Sequence, residues 1–538
     1  MSKNNVNTST IAQPSALYQT LKLLAFTSGI VTLFVILFYI IFVSEGYYHA
    51  DCSDTITWAQ AMVDGKTIMN PDFSYACLMP FGGNLIMAPF VAIFGFGMKA
   101  QLIGMAIFAI LFAFALTYLF KSMNFNYTWC SVVTCVSFLI LSASDKLREI
   151  FWHHIIYYSL GVLFLMIGMA LAIKILNSTE FHKRHYIILY VWTMLCATNG
   201  SQALTIYVLP VLAAVIAERF FDFSNPIWDK KNIKSGLVAA TLIVSTITGV
   251  LLGKLLNGNI IAGYQSGYSG FDNKDVWLDN FLSIIPQMFT LFGITTPDTE
   301  IFSLAGVITL IKIILVLIIM TVPVIMLIMY KKFENKAYRL MILMHTILSV
   351  LLIMGWVFGE LNSACWRLSP MLATATILCV MFVKWLLDEK AFMRLSAIII
   401  IPLTIVLMSI TSDLFTCYSS GQSDSNKRLE LVSEYLEEKN LEYGYATFWN
   451  ANSITLMTDS NVKVRCIRED DGVLRPRMYQ TNINWYKDNS YDNYFLLLTV
   501  SEYNAYSVSD TYVEPKQLYT YENFYIMVYD YNIMELKN

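Results

Sequence analysis

Charged residues are scarce in this chain. Asp, Glu, Lys and Arg make up only 14% of its 538 residues, whereas 56% are hydrophobic. Soluble globular proteins carry about 25% charged residues, so the composition excludes a soluble protein of this size. The formal net charge is −3, and the chain therefore lacks the basic surface that a nucleic-acid-binding protein needs.

Familiar catalytic signatures are also missing. The sequence has no Walker P-loop, no GxGxxG after a predicted strand, no HExxH and no GxSxG, so nothing indicates a soluble nucleotide site or a hydrolase. None of the nine cysteines stands in a CxxC pair, which disfavours a zinc site. Cys52 and Cys77 fall in a predicted outer loop, where a disulfide between them and two unpaired thiols are equally compatible with the sequence.

Long apolar runs dominate the first three quarters of the chain. A helix needs about 20 apolar residues to cross a bilayer, and roughly eleven runs qualify as candidate spans. These runs cover residues 21–43, 100–120, 129–143, 155–176, 187–198, 203–220, 237–256, 301–330, 340–358, 369–387 and 395–410. No small-residue cleavage site follows the first run, which indicates a retained anchor. The run 187–198 is the shortest, and its loss would invert the orientation of every later span.

The charges between these runs predict the orientation of the protein. Basic residues concentrate in alternate loops, near residues 121, 183–184, 219–234, 331–339 and 384–394, whereas the other loops are acidic. Because basic loops stay on the cytoplasmic side, we expect a multi-pass protein of the cell membrane with its N-terminus in the cytoplasm and its C-terminus outside.

The chain divides into three predicted parts: a disordered cytoplasmic N-terminus (1–20), a transmembrane domain (21–411) and an extracytoplasmic α/β domain (412–538). The first outer loop includes a short apolar segment, 80–97, which Pro and Gly interrupt and which suits an interfacial or re-entrant helix. In the last part, periodicity predicts a helix over 425–439. Strands are predicted at 444–448, 462–467, 494–500 and 524–529. The fold class is therefore an α-helical polytopic membrane protein plus a C-terminal α/β domain.

Aromatic residues are frequent in that last part. Tyr519, Tyr521 and Tyr525 follow one another at short spacing. They suit either a surface on which a sugar stacks or the packing of a hairpin against a small core.

An acidic stretch follows the first predicted span. Residues 49–65 read HADCSDTITWAQAMVDG and place Asp51 and Asp54 at the membrane surface. Acids near lipid are costly and tend to be functional. One carboxylate can act as a general base on a hydroxyl or hold a metal, and two can share those tasks. Alternatively, Asp54 caps a helix that begins at Thr55.

The second outer loop, SASDKLREIFWHH (142–154), is crowded with ionisable groups. The candidates in it are Asp145, Arg148, Glu149, His153 and His154. Glu149 and His153 stand four residues apart and would share one face of a helix, so a divalent cation is conceivable there. A charged interfacial cap with snorkelling basic side chains is the alternative.

Two further cations lie near the predicted outer face. Arg367 precedes a span in SACWRLSP, and Lys312 lies inside the run 301–330. Either one could bind a lipid-linked phosphate, for which Arg has the better geometry, while Lys312 could instead only snorkel. The Gly- and aromatic-rich loop 257–300 suits either a mobile lid or a plain surface loop.

These features together resemble the glycosyltransferase C superfamily, and locally its aminoarabinose-transferase and protein O-mannosyltransferase branch. The residues that carry the resemblance are Asp51, Trp58, Ala59, Met62, Gly65, Pro80, Phe94 and Gly95. The segments SYACLMPFGGN (74–84) and YGYATFWNANS (443–453) also resemble uncharacterised membrane proteins of Gram-positive bacteria. Here Cys52 and Ser53 separate the two acids, which are adjacent in that branch. The register with Met62 favours Asp51 as the base.

The resemblance implies a transferase that moves a sugar from a polyprenyl-phosphate donor to a cell-envelope glycan or protein acceptor at the outer membrane face. Asp51 would act on the acceptor hydroxyl. An acid of the second outer loop, Glu149 before Asp145, would assist, and Arg367, Arg148 or Lys312 would hold the donor phosphate. Two other classes stay open: a transporter or flippase of lipid-linked glycans, and a non-catalytic assembly protein.

Overall fold

The computed structural model describes residues 16–48, 50–220, 230–260, 270–294, 299–389 and 391–536. Helices dominate the part before residue 440. The helices there are α1 (Ala16–Phe42), α2 (Asp54–Gly65), α3 (Asn84–Phe94), α4 (Met98–Ser122), α5 (Tyr127–Ile140), α6 (Asp145–Arg148), α7 (Tyr157–Asn177), α8 (Lys183–Ala197), α9 (Ser201–Ala203), α10 (Leu209–Phe220), α11 (Lys230–Asn257), α12 (Trp277–Leu291), α13 (Leu304–Ile328), α14 (Lys336–Phe358), α15 (Ser369–Asp388), α16 (Ser396–Ser420) and α17 (Asp424–Glu438).

Within these described ranges, nine helical segments are long and apolar enough to cross a membrane, and the number rises to ten if one bent pair counts as a span. Every predicted run coincides with a helix, so the polytopic helical fold is confirmed. Two of the roughly eleven predicted spans have a different form. Run 187–198 lies in α8, which has 15 residues and so reaches only about 22 Å. Run 129–143 lies in α5, and the chain bends by 119° before the segment Asp145–His153.

The first outer loop folds into two short helices beside the membrane domain. α2 has 12 residues and packs against α3, which packs in turn against α4. α3 has 11 residues and contains Pro89, as expected for a segment too short to cross the bilayer. This arrangement holds the start of α2 against the ends of the long helices.

The C-terminal part contains a six-stranded sheet with the order β4-β3-β2-β6-β8-β7. Its elements are β2 (Tyr443–Thr447), α18 (Phe448–Met457), β3 (Lys463–Asp470), β4 (Val473–Pro476), β6 (Tyr494–Thr499), α19 (Val500–Ser507), β7 (Gln517–Tyr521) and β8 (Phe524–Tyr529). The central strand β2 is parallel to β3 and to β6. The predicted helix and four predicted strands correspond to α17, β2, β3, β6 and β8, so the α/β class is confirmed.

Alternation along the strands gives the sheet two cores. Ala446, Val464 and Leu497 belong to the core that α17 and α18 cover, whereas Tyr443 and Leu496 belong to the core on the other face. Both faces are buried because the side chains of a strand alternate between the faces of its sheet.

Tyr519, Tyr521 and Tyr525 of the last hairpin are half-buried and pack against the helices of the domain. Tyr521 stacks on Tyr435 of α17 with 4.3 Å between ring centroids, and Tyr525 stacks on Tyr503 of α19 at 3.9 Å. Tyr519 meets Tyr435 edge-on. These contacts fit the packing interpretation of the tyrosine series rather than an open sugar-stacking surface.

The sheet domain and the first outer loop are folded together. β1 (Phe73–Ser74) of the loop pairs antiparallel with β5 (Thr481–Asn482). Asn426 Nδ2 donates to the Glu45 carbonyl at 2.8 Å. Ala50 belongs to the hydrophobic core of the sheet domain, and Leu456 belongs to the core of the membrane domain. The predicted boundary at residue 411 stays a prediction, because α16 continues through it to Ser420.

All nine cysteines are free thiols. The structure therefore favours unpaired thiols over a Cys52–Cys77 disulfide. Both side chains are buried, where they behave as small apolar groups.

A buried charge cluster lies at the end of the long helices that is away from the first outer loop. Glu218 of α10 is 1% exposed and pairs with Arg339 at 3.1 Å and with Lys336 at 3.4 Å, both on α14. Arg219 lies 3.6 Å from the same carboxylate. These ion pairs join α10 to α14 on the side that the basic loops predict to be cytoplasmic.

Candidate active site

The acidic stretch lies between the end of α1 and the start of α2. Two 3-10 turns, Ser44–Tyr47 and Ala50–Ser53, lead the chain from one to the other. Asp51 lies in the second turn and is half-buried, whereas Asp54 is only 8% exposed. His49 lies outside the described residues. The turns therefore present both acids where the outer loop meets the membrane domain.

Asp54 does not cap α2. The helix begins at Asp54 itself, Ser53 occupies the N-cap, and no side-chain cap hydrogen bond is formed there. The interpretation of Asp54 as the cap of a helix that begins at Thr55 is therefore wrong. The N-cap residue is Ser53, one residue earlier than the sequence predicted. The side chain of Asp54 is instead buried in the protein.

The environment of Asp54 favours its neutral form. Burial raises the pKa of its carboxyl well above the ordinary value, and the negative charges of Asp51 and Glu149 raise it further. The side-chain amide of Gln480 opposes this shift. Two carboxyl groups of one site are thus placed in different environments, an arrangement by which enzymes separate the roles of paired acids.

The second outer loop is turned inward. α6 starts with Ser144 as its N-cap and continues into a π-helical turn, Glu149–His153. Lys146 Nζ lies 2.5 Å from Glu149 Oε2, and Arg148 pairs with Asp145 and donates to the Ser142 carbonyl at 2.9 Å. Arg148, Glu149, His153 and His154 are buried, whereas the side chain of Asp145 is 85% exposed, so the interfacial-cap interpretation applies at most to the start of the loop.

Hydrogen bonds tie this loop to the acidic stretch. His154 Nδ1 lies 3.1 Å from the Asp51 carbonyl oxygen. Gln101 Nε2 donates to the His153 carbonyl at 2.5 Å, and the Ile155 N–H donates to Thr55 Oγ1 at 3.0 Å. Burial lowers the pKa of His154. Asp51, Asp54, Glu149 and His154 therefore belong to one cluster, which we call the outer acid cluster.

Metal ligation receives no support from this geometry. Glu149 contacts Lys146, whereas His153 Nε2 lies 3.0 Å from the hydroxyl of Tyr39. Across the ranges that the structure describes, no three or more His, Cys, Asp or Glu side chains come together as a metal site would need.

The two predicted phosphate-binding cations have different surroundings. Arg367 lies in the 3-10 turn Cys365–Leu368, is buried, and donates from Nη1 to the Glu360 carbonyl at 2.6 Å. Its neighbour Trp366 lies under Lys146, with 4.4 Å between Nζ and the ring centroid, which brings this turn beside Glu149. Lys312 instead lies 3.4 Å from Asp413 and joins α13 to α16.

The structure describes only part of the loop that the sequence suggested as a lid. Residues 261–269 and 295–298 lie outside the described residues. The part between them contains α12, and Asp272 accepts hydrogen bonds there from Asn280 and Asn362. The lid hypothesis therefore stays a prediction.

Gln480 is the residue of this site that the sequence did not reveal. It is fully buried, and its Oε1 accepts a hydrogen bond from Trp58 Nε1 at 2.6 Å across 422 positions of the chain. Nothing in a polar stretch near the C-terminus distinguishes this glutamine from a surface residue. The pairing of β1 with β5, which places it here, involves only two residues in each strand.

Known proteins match this chain at the level of the fold. No family model matches the sequence, and no curated protein matches it significantly. Among solved structures, ArnT from Cupriavidus metallidurans bound to undecaprenyl phosphate superposes with a TM-score of 0.53 at 11% identity, covering 93% of this chain and 98% of that one. The same protein in its apo state gives 0.53 at 10% identity, covering 96% and 98%.

An oligosaccharyltransferase of Archaeoglobus fulgidus tethered to an acceptor peptide has a TM-score of 0.40 at 9% identity, covering 82% of this chain and 63% of that one. The ArnT matches confirm the predicted resemblance for the fold: over nearly its whole length, the chain has the fold of ArnT.

Proposed function

We propose that the protein is an integral-membrane glycosyltransferase that moves a sugar from a polyprenyl-phosphate donor to a cell-envelope acceptor at the outer membrane face. The observation that carries the proposal is the outer acid cluster, placed at the mouth of a membrane domain with the ArnT fold. The bound undecaprenyl phosphate of that ArnT structure supports a lipid-linked donor.

Asp51 is the general base in this proposal. It takes the proton of the acceptor hydroxyl while the hydroxyl oxygen forms a bond to the anomeric carbon of the sugar. The bond between that carbon and the phosphate oxygen breaks, and its electron pair leaves with the polyprenyl phosphate. Asp51 suits this task better than Asp54, because burial and two neighbouring acids favour the neutral form of Asp54.

Cations stabilise the leaving phosphate, whose negative charge grows in the transition state. Arg367 is assigned to this role, with Arg148 as a second candidate, because both are buried guanidinium groups near Glu149. Arg367 lies in the turn Cys365–Leu368, and Arg148 ends α6. A guanidinium matches two phosphate oxygens at once. Lys146 holds the Glu149 carboxylate and so keeps its charge from opposing the phosphate.

The donor would reach this site from within the membrane. A polyprenyl lipid enters laterally between helices, which is consistent with a sequence that has no soluble nucleotide-binding signature. The N-terminus is placed in the cytoplasm and the outer acid cluster outside, as the alternating basic loops predict.

The test begins with the product. The cell-envelope glycans and glycoproteins of a deletion strain are compared with those of the parent by mass spectrometry, which identifies the missing sugar and its acceptor. Asp51→Asn is then expected to lower transfer by about 10²–10⁴-fold, as loss of a general base does, while the protein still inserts and accumulates. Asp388→Asn, an acid that pairs with Lys384 at the predicted inner face, is the matched control. Unchanged transfer in Asp51→Asn would refute the proposal.

A further inference from the structure

Gln480 has an unusual backbone conformation for a buried residue. Its φ is +53°, in the left-handed region that glycine and asparagine favour. It stands directly before β5, and none of its side chain is exposed. Non-glycine residues in such conformations persist only where their surroundings hold them, and they cluster at functional sites.

The contacts that hold Gln480 come from the first outer loop. Its N–H donates to the Ser74 carbonyl at 2.8 Å. Its Oε1 accepts from Trp58 Nε1 at 2.6 Å and from the Ala76 N–H at 3.4 Å. Trp58 stands four residues after Asp54 on α2, so the two side chains share a face of that helix. The sheet domain thus inserts this one side chain into the outer acid cluster.

These contacts also fix which end of the amide faces Asp54. Two N–H donors converge on the same atom, so that atom must be the oxygen. The Nε2 group then faces the Asp54 carboxyl, whose charged form it stabilises. Among the described residues, Nε2 of Gln480 and Oδ1 of Asp54 are both buried, and neither makes a hydrogen bond. A buried polar atom without a partner is costly, so each is the natural partner of the other.

We propose that Gln480 is a positioning residue through which the C-terminal sheet domain orients the Asp54 carboxyl in the outer acid cluster. The negative charges of Asp51, in the acidic stretch, and of Glu149, in the second outer loop, both favour the neutral form of that carboxyl. Tyr48 and Cys77 are buried, and burial first and the Asp54 charge after it raise the pKa of each. Gln480 supplies the hydrogen-bond donor that this group of acids and neutral side chains lacks. Only its effect on turnover depends on the proposed function.

Three variants separate positioning from folding. Gln480→Leu removes the amide and keeps the strained backbone. Gln480→Gly removes the amide and relieves the backbone, because glycine adopts positive φ at no steric cost. Trp58→Phe keeps the amide and loses the donor that holds its oxygen. Gln517→Leu, which replaces a glutamine on the exposed strand β7, is the control.

The first measurement needs no substrate. Infrared spectra of the purified full-length protein, taken as differences from Asp54→Asn, isolate the C=O stretching band of the protonated Asp54 carboxyl. Loss of a hydrogen bond moves this band to higher frequency, and we expect that shift in both Gln480 variants, a smaller shift in Trp58→Phe and none in Gln517→Leu. The pH at which the band disappears should also rise in the Gln480 variants, because a group that favoured the carboxylate is gone. An unmoved band in both Gln480 variants would overturn the proposal.

The second measurement is sugar transfer from the lipid donor. Gln480→Gly should lower kcat by about 10-fold or more with little change in KM for the lipid, although its melting temperature equals or exceeds that of Gln480→Leu. If the wild-type protein transfers no sugar, the proposed function fails while the infrared result still decides the role of Gln480. If the band shifts and kcat does not change, Asp54 is oriented by Gln480 but is not needed for turnover, which rejects the catalytic consequence alone.

Discussion

Two buried charge clusters lie at opposite ends of the membrane helices, and they differ in balance. The inner cluster has one acid, Glu218, and three cations on α10 and α14. The outer acid cluster has three acids: Asp51 and Glu149 both act on the charge of Asp54, and Lys146 pairs with Glu149. Three cations surround the single carboxylate of the inner cluster, whereas Asp54 of the outer acid cluster has two further acids as neighbours.

This difference separates a structural role from a functional one. A buried acid surrounded by cations is held by ion pairs and joins two helices. Burial and the charges of Asp51 and Glu149 instead raise the pKa of Asp54, and perturbed acids of this kind cluster at active sites. The sequence shows an excess of acid on one side of the membrane, but only the packing shows that the acids meet.

The largest effect on stability is expected at the inner cluster. Glu218→Gln leaves three cations around a neutral side chain, and breaking a buried ion pair in this way costs about 3–5 kcal/mol. Thermal unfolding in detergent should show a lower melting temperature than in the wild type, while transfer per folded molecule stays unchanged. A variant that melts normally but loses transfer would remove the distinction between the two clusters.

Asp54→Asn should raise the melting temperature, whereas Glu218→Gln lowers it, and the size of the increase should depend on pH. Because the folded-state pKa of Asp54 lies above its unfolded value, the folded state binds the extra proton between those two pKa values. Asp54 therefore makes the wild type less stable as pH rises through that window, by up to about 1.4 kcal/mol per pH unit. In Asp54→Asn this slope should be smaller, so that the variant melts higher than the wild type at the alkaline end. Parallel melting curves from pH 4 to pH 9 would show that Asp54 is not the shifted group.

Arg367→Lys tests the phosphate site at intermediate magnitude. Lysine keeps the positive charge but loses the planar pair of donors, so the KM for the lipid donor should rise about 10-fold, or ~1.4 kcal/mol, with a smaller change in kcat. Arg394→Lys at the predicted inner face is the control. An equal KM in both variants would place the donor phosphate elsewhere.

Lys312→Met should have the smallest effect. Its partner Asp413 lies 3.4 Å away with a side chain that is 47% exposed, about two turns from the end of α16. From there the carboxylate can reach the membrane surface, where ion pairs contribute less than about 1 kcal/mol. The melting temperature and the KM for the lipid donor should both stay close to wild type. A KM raised as strongly as in Arg367→Lys would restore Lys312 as a phosphate ligand.

The sequence predicted the elements of this fold well and their exceptions poorly. Run length identified the spans, since the thickness of the bilayer fixes how many apolar residues a helix needs. It could not show that α8 stops at 15 residues or that the chain bends by 119° after α5. Alternation located β2, β3, β6 and β8, whereas β4 and β7 are edge strands with little burial to impose a pattern.

Within the candidate site, the sequence located the acids but not their environments. Asp51, Glu149 and Arg367 were identified from their position near the outer membrane surface. The sequence did not reveal the burial of Asp54, because a shift of one residue in the start of α2 decides whether this acid caps the helix or lies inside it. The partner of Lys312 was missed because Asp413 lies 101 positions away on another helix.

Composition and periodicity thus determined that this chain is a polytopic membrane protein with a separate α/β part, because hydrophobic length and strand alternation are local properties. The tertiary structure alone decided that the α/β part closes over the first outer loop and supplies Gln480 to Asp54. That contact depends on a two-residue strand pairing and on the left-handed backbone of one residue, and neither has a local signal because both are imposed by segments more than 400 positions apart.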